Sequence, residues 1–481
     1  MHGSILDNAP FRYFKQPFHF ILIIFFFLLH GYAENSGLVS FKDLIFLFII
    51  LVPLSLLLFA LNKKILKSRF KAGIFTSLLL MVLLFYGVME DFLAGHPSLS
   101  AMARFSRLLP LTLLVLAVLF FLIRKSKLSF HRISVFLSTL FFIYIIADAG
   151  SLLYQLVSGK KPSLHTGNET AVNKCDTCSK PDIYLVLLDE YWGAEGLKTC
   201  YGYDNSAFEN FLKAKGFHVV PSAYSNYSYT LFSMASMLNM DYLNGFNKDS
   251  MDMGYGYNLA VKTISSNYMC RYLKQQGYAI NNLSIFDLPG EPTKYYNSFV
   301  PLGANIITNK TFYNRLLKTL SVSMANNHNL RWMQDWAHGK ILKSNSAVME
   351  ESLKIAAQDK KQPAFTYVHL MMPHVPLAFD SAGNTMFVKY NADNYPVAGY
   401  ENAYLQYLVY TNKKMQEYIT RLQQATHGNA IILLMGDHGY RGLNCSYEKK
   451  MQFSTLNAVY LPDKNYNGWY NAMSNVNQLR V

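Results

Sequence analysis

Five long apolar runs occupy the first third of this 481-residue chain and constrain its fold more than any other feature. They cover residues 18–32, 44–62, 73–89, 108–123 and 133–153. Each is close to the roughly 17 to 25 residues that a helix needs to cross a bilayer. Only 15% of the residues are charged, against about 25% in ordinary soluble proteins. We therefore predict an α-helical domain of about five transmembrane spans over residues 1–157.

The basic residues of this region are concentrated in two of the loops between the runs. The second loop contains Lys63, Lys64, Lys67, Arg69 and Lys71, and the fourth contains Arg124, Lys125, Lys127 and Arg132. The positive-inside rule makes these two loops cytoplasmic. An odd number of spans then places everything after Leu153 outside the cytoplasm, so we predict a multi-pass inner-membrane protein with a periplasmic or extracellular domain.

The first run has an alternative interpretation as a cleaved signal peptide, because small residues at 31–33 follow its apolar core. Its length, and the position of Arg12 well inside the chain, favour a span. Cleavage would leave four spans and the same orientation.

Residues 158–180 are mostly polar and lack periodicity, which predicts a linker. Cys175 and Cys178 form a C-x-x-C pair within it. No second such pair completes a four-thiolate zinc site, and an exported location favours a local disulfide.

From residue 181 the pattern changes to short apolar strands alternating with amphipathic helices. The strands are predicted at 183–188, 364–370 and 430–435, and helices at 206–215 and 400–424. Strands that are apolar on both faces are typical of a parallel sheet covered by helices. Residues 181–481 are therefore predicted to form an α/β domain around a mainly parallel sheet.

Acidic and imidazole side chains lie at the ends of all three strands. The first strand is followed by Asp189 and Glu190, the second contains His369 and leads to His374, and the third leads to Asp437 and His438. Ligands of such sheets bind beyond the carboxyl ends of the strands, so these residues can converge on one point. Carboxylates and imidazoles are ligands for a divalent cation, and Gly436 and Gly439 permit a turn that lets both Asp437 and His438 reach it.

A candidate nucleophile lies where a loop rich in Asn, Ser and Tyr gives way to a helical pattern near Thr230. A threonine at this position is commonly a helix N-cap. The same position also places a hydroxyl where helix amides attract anions, so Thr230 is equally a candidate nucleophile toward a phosphate group.

These residues together resemble the alkaline phosphatase/sulfatase superfamily. The resemblance rests on the strand ending in Asp189, on Thr230, on P-H-x-P at residues 373–376 and on G-D-H-G at residues 436–439. Five spans before an exported domain are similar to phosphoethanolamine transferases and lipoteichoic acid synthases. The resemblance implies that Asp189, Thr230, Asp437 and His438 hold the metal, that Thr230 is the nucleophile, and that His374 contacts the charged group of the substrate.

The chain also departs from that superfamily pattern. Formylglycine sulfatases need C/S-x-P-x-R, whereas Thr230 is followed by Leu-Phe-Ser, which disfavours sulfate esters. Glu190 remains an alternative ligand to Asp189, and His369 is a further candidate for charge stabilisation. The chain ends about forty residues after His438, so we expect a last strand or a final ligand to be either missing or supplied elsewhere.

The expected function is metal-dependent transfer of a phosphoethanolamine- or phosphoglycerol-like group from a phospholipid donor to a glycan or lipid acceptor. The mixed ligand set suits Zn²⁺ best, with Mn²⁺ or Mg²⁺ as alternatives. A hydrolase of phosphodiesters or sulfate esters, a transporter with an accessory domain, and a non-catalytic binding protein are the competing hypotheses. Nucleic-acid binding gains nothing from the net charge of +14, because the basic residues of the first third follow the rule for membrane orientation.

Overall fold

The computed structural model describes residues 16–35, 39–158, 179–243, 253–294, 302–391, 395–442, 449–467 and 472–474. The chain divides into two compact units. Unit 1 comprises Met1–Pro162 and Ser298–Ser321, and unit 2 comprises Ser163–Asn297 and Val322–Val481. The segment Ser298–Ser321 thus belongs with the apolar helices, although it follows them by more than a hundred residues. The linker cysteines Cys175 and Cys178 lie outside the described residues.

Unit 1 begins with five apolar helices. They are α1 (His19–Glu34), α2 (Phe41–Leu66), α3 (Arg69–Ala94), α4 (Phe105–Lys125) and α5 (His131–Ser158). Among the described residues, four helices are long and apolar enough to cross a membrane, namely α2 to α5. The first predicted span forms α1, a shorter apolar helix of 16 residues. The architecture of about five apolar helices before an α/β domain is therefore confirmed.

The boundaries of α2 follow from its local sequence. Ser40 accepts a hydrogen bond from the Asp43 amide, and Asp43 accepts one from the Ser40 amide, so the two residues form a capping box. The helix ends at Leu66, and Lys67 follows with a left-handed φ of 52°. The predicted basic loop is therefore mostly helical: Lys63 and Lys64 lie in the last turn of α2, Arg69 and Lys71 lie in α3, and residues 67–68 connect the two helices.

The remaining helices are distributed over both units. They are α6 (Ala194–Tyr201), α7 (Ser206–Ala214), α8 (Thr230–Met237), α9 (Met253–Ser265), α10 (Tyr268–Gln275), α11 (Leu302–Thr308), α12 (Phe312–Ala325), α13 (Arg331–Ala356) and α14 (Ala403–Ala425). Helix α11 and α12 up to residue 321 belong to unit 1.

Unit 2 is built on a six-stranded sheet with the order β2-β7-β6-β1-β5-β4. The strands are β1 (Ile183–Leu188), β2 (His218–Val219), β3 (Ser222–Tyr224), β4 (Ala279–Leu283), β5 (Ala364–Leu370), β6 (Ile431–Gly436), β7 (Asn457–Tyr460) and β8 (Ala472–Ser474). Strands β6, β1, β5 and β4 pair in parallel, and β7 is antiparallel to β6 and to β2. Strands β3 and β8 form a separate parallel pair. The predicted α/β class with a mainly parallel sheet is confirmed.

The central strands are buried on both faces, as their uninterrupted apolar sequences predict. All seven residues of β5 are buried, and so are all but the first residues of β1 and β6. Such strands contribute side chains to the core in both directions, which fixes their position in the middle of the sheet. The ends of β1, β5 and β6 therefore lie at fixed positions relative to each other.

Gly436, the last residue of β6, is needed for close packing rather than for its backbone conformation, since neither it nor Gly439 has a positive φ. A Cβ at Gly436 would lie 2.3 Å from Thr455 Oγ1 and 2.6 Å from the Tyr191 carbonyl oxygen. We predict that Gly436→Ala lowers stability by about 1 to 3 kcal/mol, as overpacking of a dense core does. Thermal unfolding of the purified chain measures the loss.

The matched control is Gly339→Ala in α13, where a Cβ would meet no atom within 4 Å. Alanine is favoured over glycine by about 1 kcal/mol inside a helix, so this variant should be at least as stable as wild type. Equal melting temperatures for the two alanine variants would contradict the packing argument.

Candidate metal and catalytic centre

The site lies where β1 and its two neighbours end. Leu188, the last residue of β1, pairs in register with Leu370 of β5 and with Gly436 of β6. The residues that follow β1 and β6 are Asp189 and Asp437, so the parallel register brings two carboxylates to the same edge of the sheet. This edge is the one that the sequence predicts.

Asp189, Asp437 and His438 form a cluster that could hold a metal ion. Each offers one ligand atom, and these atoms lie within 4.8 Å of one another. All three side chains are buried. The structure therefore brings together three of the four predicted metal ligands as a compact carboxylate and imidazole group.

The carboxylate of Asp437 is held by backbone amides on one side only. Its Oδ1 accepts hydrogen bonds from the amides of Glu190 and His438, both at 2.9 Å. Its Oδ2 is buried, lies 3.3 Å from His438 Nε2, and has no hydrogen-bond partner within the described part of the chain. A buried carboxylate oxygen without a partner is costly, so this atom is suited to accept a cation.

Thr230 is the fourth predicted ligand, and its hydroxyl points at the same cluster. It donates to Asp189 Oδ1 at 3.4 Å and lies 3.2 Å from His438 Nε2. Thr230 is the first residue of α8, whereas the N-cap position is Tyr229, and no side chain caps this helix end. The structure thus does not show Thr230 as a helix cap, and its hydroxyl faces the carboxylate and imidazole cluster instead.

Two histidines of the β5 region also lie close to the Asp189 carboxylate. His369 Nε2 is 3.1 Å from Asp189 Oδ2, and its Nδ1 is 2.8 Å from the Tyr367 hydroxyl. His374 Nε2 is 3.9 Å from Asp189 Oδ1, and this side chain is partly open to solvent. His369 is therefore placed to orient Asp189, and His374 is placed where a substrate can reach it.

Glu190 lies beside the cluster but is not one of its three members. Its backbone has a left-handed φ of 61°, a strained conformation for this residue type. Its Oε1 accepts hydrogen bonds from the Tyr395 hydroxyl at 2.9 Å and from Arg441 Nε at 3.2 Å. Its Oε2 is buried without a hydrogen-bond partner among the residues described. The Arg441 guanidinium stacks over the Tyr229 ring at 4.5 Å, next to Thr230.

Arg441 and Tyr395 are site residues that the sequence interpretation missed. Arg441 follows His438 by three residues, so its proximity to G-D-H-G was the available signal. Tyr395 lies in a loop between β5 and α14 and carries no motif that could have indicated it.

Burial and neighbouring charges shift the titration of the cluster in opposite directions. Burial raises the pKa of Asp437, and the negative charge of Asp189 raises it further. Burial acts in the same sense on Asp189, but His374, His369 and His438 outweigh it and lower the pKa of this carboxyl. For His374, burial lowers the pKa, but the charge of Asp189 outweighs it, and the net shift is upward. The site therefore concentrates negative charge that a cation can neutralise.

The residues present fit a divalent cation. Two carboxylates, an imidazole and a hydroxyl supply oxygen and nitrogen donors, and Asp437 Oδ2 is a buried donor atom without another described partner. Oxygen and nitrogen donors of this kind are the ligands that zinc and related divalent ions take in proteins.

The two cysteines among the described residues do not belong to this cluster. Cys200 is disulfide-bonded. Cys270 is a buried free cysteine, and burial raises its pKa to about 11. Its side chain therefore stays protonated and is a poor nucleophile.

Fold and site together define a membrane-anchored α/β protein with a buried metal-ligand cluster at the sheet edge. The sulfatase family model matches residues 181–479, which is more than half of the chain. The chain belongs to the sulfatase family, and it is thus an enzyme of the metal-dependent alkaline phosphatase superfamily. The resemblance inferred from the sequence is confirmed. No curated protein matches the chain.

Several solved structures are similar to this chain at low identity. The periplasmic domain of the phosphoethanolamine transferase EptC from Campylobacter jejuni is 13% identical, with 63% of this chain and 87% of that chain covered and a TM-score of 0.36. The lipooligosaccharide phosphoethanolamine transferase A from Neisseria meningitidis is 11% identical, with 96% and 92% covered and a TM-score of 0.36. The phosphonate monoester hydrolase of Agrobacterium radiobacter is 10% identical, with 63% and 74% covered and a TM-score of 0.39.

We predict that the purified chain contains close to stoichiometric divalent metal, and that Asp437→Asn and His438→Ala each lose most of it. Each change removes one of the three ligand atoms of the buried cluster. Elemental analysis after dialysis measures the metal content.

The control is Glu417→Gln, which alters an exposed carboxylate on α14 and should keep the wild-type metal content. If both cluster variants also kept it, the metal would have to bind elsewhere.

Proposed function

We propose that this chain transfers a phosphoethanolamine- or phosphoglycerol-like group from a lipid donor to a glycan or lipid acceptor, through a phospho-threonine intermediate on Thr230. The observation that carries the proposal is the position of the Thr230 hydroxyl between Asp189 Oδ1 and His438 Nε2. A hydroxyl beside a metal-ligand cluster has the surroundings that activate it as a nucleophile. The apolar helices favour a lipid donor, because they are long and apolar enough to anchor the chain in a membrane.

Asp189, Thr230, Asp437 and His438 would hold the cation, most favourably Zn²⁺ with Mn²⁺ or Mg²⁺ as alternatives. A divalent cation bound there lowers the pKa of a nearby hydroxyl and offsets the negative charge of a phosphate group. His369, hydrogen-bonded to Asp189 and Tyr367, fixes the orientation of that carboxylate.

The transfer proceeds in two steps. In the first step the Thr230 hydroxyl proton passes to solvent, Thr230 Oγ1 forms a bond to phosphorus, and the bond from phosphorus to the lipid oxygen breaks. His374 is placed to protonate that leaving oxygen. In the second step the acceptor hydroxyl attacks phosphorus and gives its proton to His374, which the first step has left neutral. The bond from phosphorus to Thr230 breaks, and Thr230 Oγ1 takes up a proton from solvent. Water in place of the acceptor would make the same chain a hydrolase.

Arg441 gives the site a cation that does not depend on metal. Its Nε donates a hydrogen bond to Glu190 Oε1 at 3.2 Å. The guanidinium lies against Tyr229, the residue before the nucleophile. Arginine binds phosphate oxygens through two parallel hydrogen bonds, so Arg441 is suited to hold the anionic group of a substrate.

The proposed reaction requires that the apolar helices span the inner membrane and that unit 2 lies outside the cytoplasm. We predict that a reporter active only outside the cytoplasm is active when fused after Lys161 and silent when fused at Lys67. The reason is that the two basic loops stay on the cytoplasmic side. Reporter activity in intact cells measures the orientation, and the reverse pattern would overturn it.

Thr230 provides the decisive test of the reaction. We predict that Thr230→Ala abolishes turnover of a chromogenic phosphodiester while the melting temperature changes little, because this side chain does not cap α8. Thr230→Ser should keep partial activity, since a hydroxyl remains but its rotamer is less restricted. After incubation with a mixed phospholipid extract, mass spectrometry should find a covalent group on the wild-type Thr230 peptide, and its mass identifies the donor.

The matched control is Ser228→Ala, which removes a neighbouring hydroxyl from the same loop and should retain full activity. Full activity in Thr230→Ala would end the assignment and make Ser228 and Ser233 the next candidates. If the group bound to Thr230 is transferred only to water, whichever acceptor is added, the chain is a hydrolase.

A further inference from the structure

The segment Ser298–Ser321 belongs to the compact unit of the apolar helices, although unit 2 precedes and follows it in sequence. Its described part contains α11 and the first ten residues of α12. The chain therefore leaves one unit and returns to the other for about twenty residues. Such an excursion needs a physical reason.

Close backbone packing holds this segment against α1 and α3. The Gly87 amide in α3 donates to the Lys310 carbonyl at 2.7 Å, and α3 is interrupted two residues earlier by the non-helical φ and ψ of Phe85. A Cβ at Gly87 would lie 2.7 Å from the Lys310 oxygen, and a Cβ at Gly31 would lie 2.9 Å from Ile307. Glycine at both helix positions permits this approach.

An ion pair sets the level at which α12 lies. Arg315 Nη2 is 2.8 Å from Asp91 Oδ2, and its Nη1 is 3.5 Å from Glu90 Oε2. Both carboxylates are in the last turns of α3, a helix of 26 residues and thus about 39 Å long, which exceeds a hydrocarbon core of about 30 Å. Charges at the end of such a helix can reach the interfacial layer, and Arg315 connects α12 to this end of α3.

The opposite side of α12 is apolar and exposed. Tyr313, Leu317 and Leu320 are 58%, 45% and 44% exposed. Their spacing of four and three residues places them on one face of the helix. Residues 302–321 contain three basic residues and no acidic one, and of these Lys310 and Lys318 are exposed. An apolar stripe flanked by basic residues is typical of helices that lie in a membrane interface.

We propose that this face of α12 inserts into the membrane–water interface, with Tyr313, Leu317 and Leu320 among the upper acyl chains and with Lys310 and Lys318 at anionic phospholipid headgroups. The end of α3 supports this surface, because Met89 and Phe92 are exposed on the helix that carries the two carboxylates. This role explains why the segment packs with unit 1, since it adds an interfacial anchor to the membrane-spanning helices. This role is independent of the reaction proposed for Thr230.

The test uses the full chain in lipid nanodiscs of phosphatidylcholine with or without phosphatidylglycerol. A benzophenone amino acid replaces Leu317, and after illumination the covalent adducts are identified by mass spectrometry. We expect a phospholipid adduct at position 317 comparable to that at position 113, an exposed residue in the middle of α4. Position 354, exposed on α13 of unit 2, should give none.

A second variant tests the contribution of the basic residues. Lys318→Gln should lower the adduct yield at position 317 several-fold in phosphatidylglycerol discs and leave it unchanged in phosphatidylcholine discs, since each basic residue near an anionic surface contributes about 1 kcal/mol. No lipid adduct at position 317, a crosslink to unit 2 of the same chain, or a covalent dimer with a second copy would each overturn the proposal. Thermal unfolding shows whether the labelled chains are folded.

Discussion

Two carboxylates buried next to each other determine how this site is built. At about 4 Å and an effective dielectric constant of about 20, two like charges repel each other by roughly 4 kcal/mol. Asp189 and Asp437 lie at the tips of neighbouring strands, and the ligand atoms of their cluster are within 4.8 Å of one another. Neighbouring groups reduce this repulsion. His369 and His374 lie beside the Asp189 carboxylate, and two backbone amides donate hydrogen bonds to Asp437 Oδ1. Asp437 Oδ2 has no hydrogen-bond partner among the described residues, and a cation bound there would give this atom a partner.

The sequence was sufficient to predict which strand ends carry this charge. Strands that are apolar on both faces lie in the middle of a parallel sheet, and their carboxyl ends share one edge. Asp189, Asp437 and His438 follow two such strands directly, so a small error in a strand boundary could not move them away. The structure gives β6 one residue later than predicted at each end, and Asp437 still follows its tip.

Contacts between distant parts of the chain could not be predicted in this way. Glu190 directly follows Asp189 at the end of β1. Its side chain nevertheless binds Tyr395 and Arg441, which are more than two hundred residues away in sequence. The return of residues 298–321 to unit 1 depends on Gly31 and Gly87, each an ordinary residue of an apolar helix in sequence. The spacing of apolar residues predicts which face of a single helix or strand is buried. These contacts instead depend on which helices and strands pack together.

The nucleophile and the metal ligands are also connected mechanically. Ser233, one turn after Thr230 in α8, donates a hydrogen bond to the Asp437 carbonyl oxygen at 2.6 Å. This bond ties the first turn of α8 to the residue after β6, and the Asp437 side chain is in turn fixed by the Glu190 amide. The residue that donates this amide, Glu190, has a left-handed backbone, so a strained conformation lies directly beside the metal-ligand cluster. The helix that presents Thr230 and the two strands that present the carboxylates therefore keep their spacing together, which is what a reaction at a fixed phosphorus atom requires.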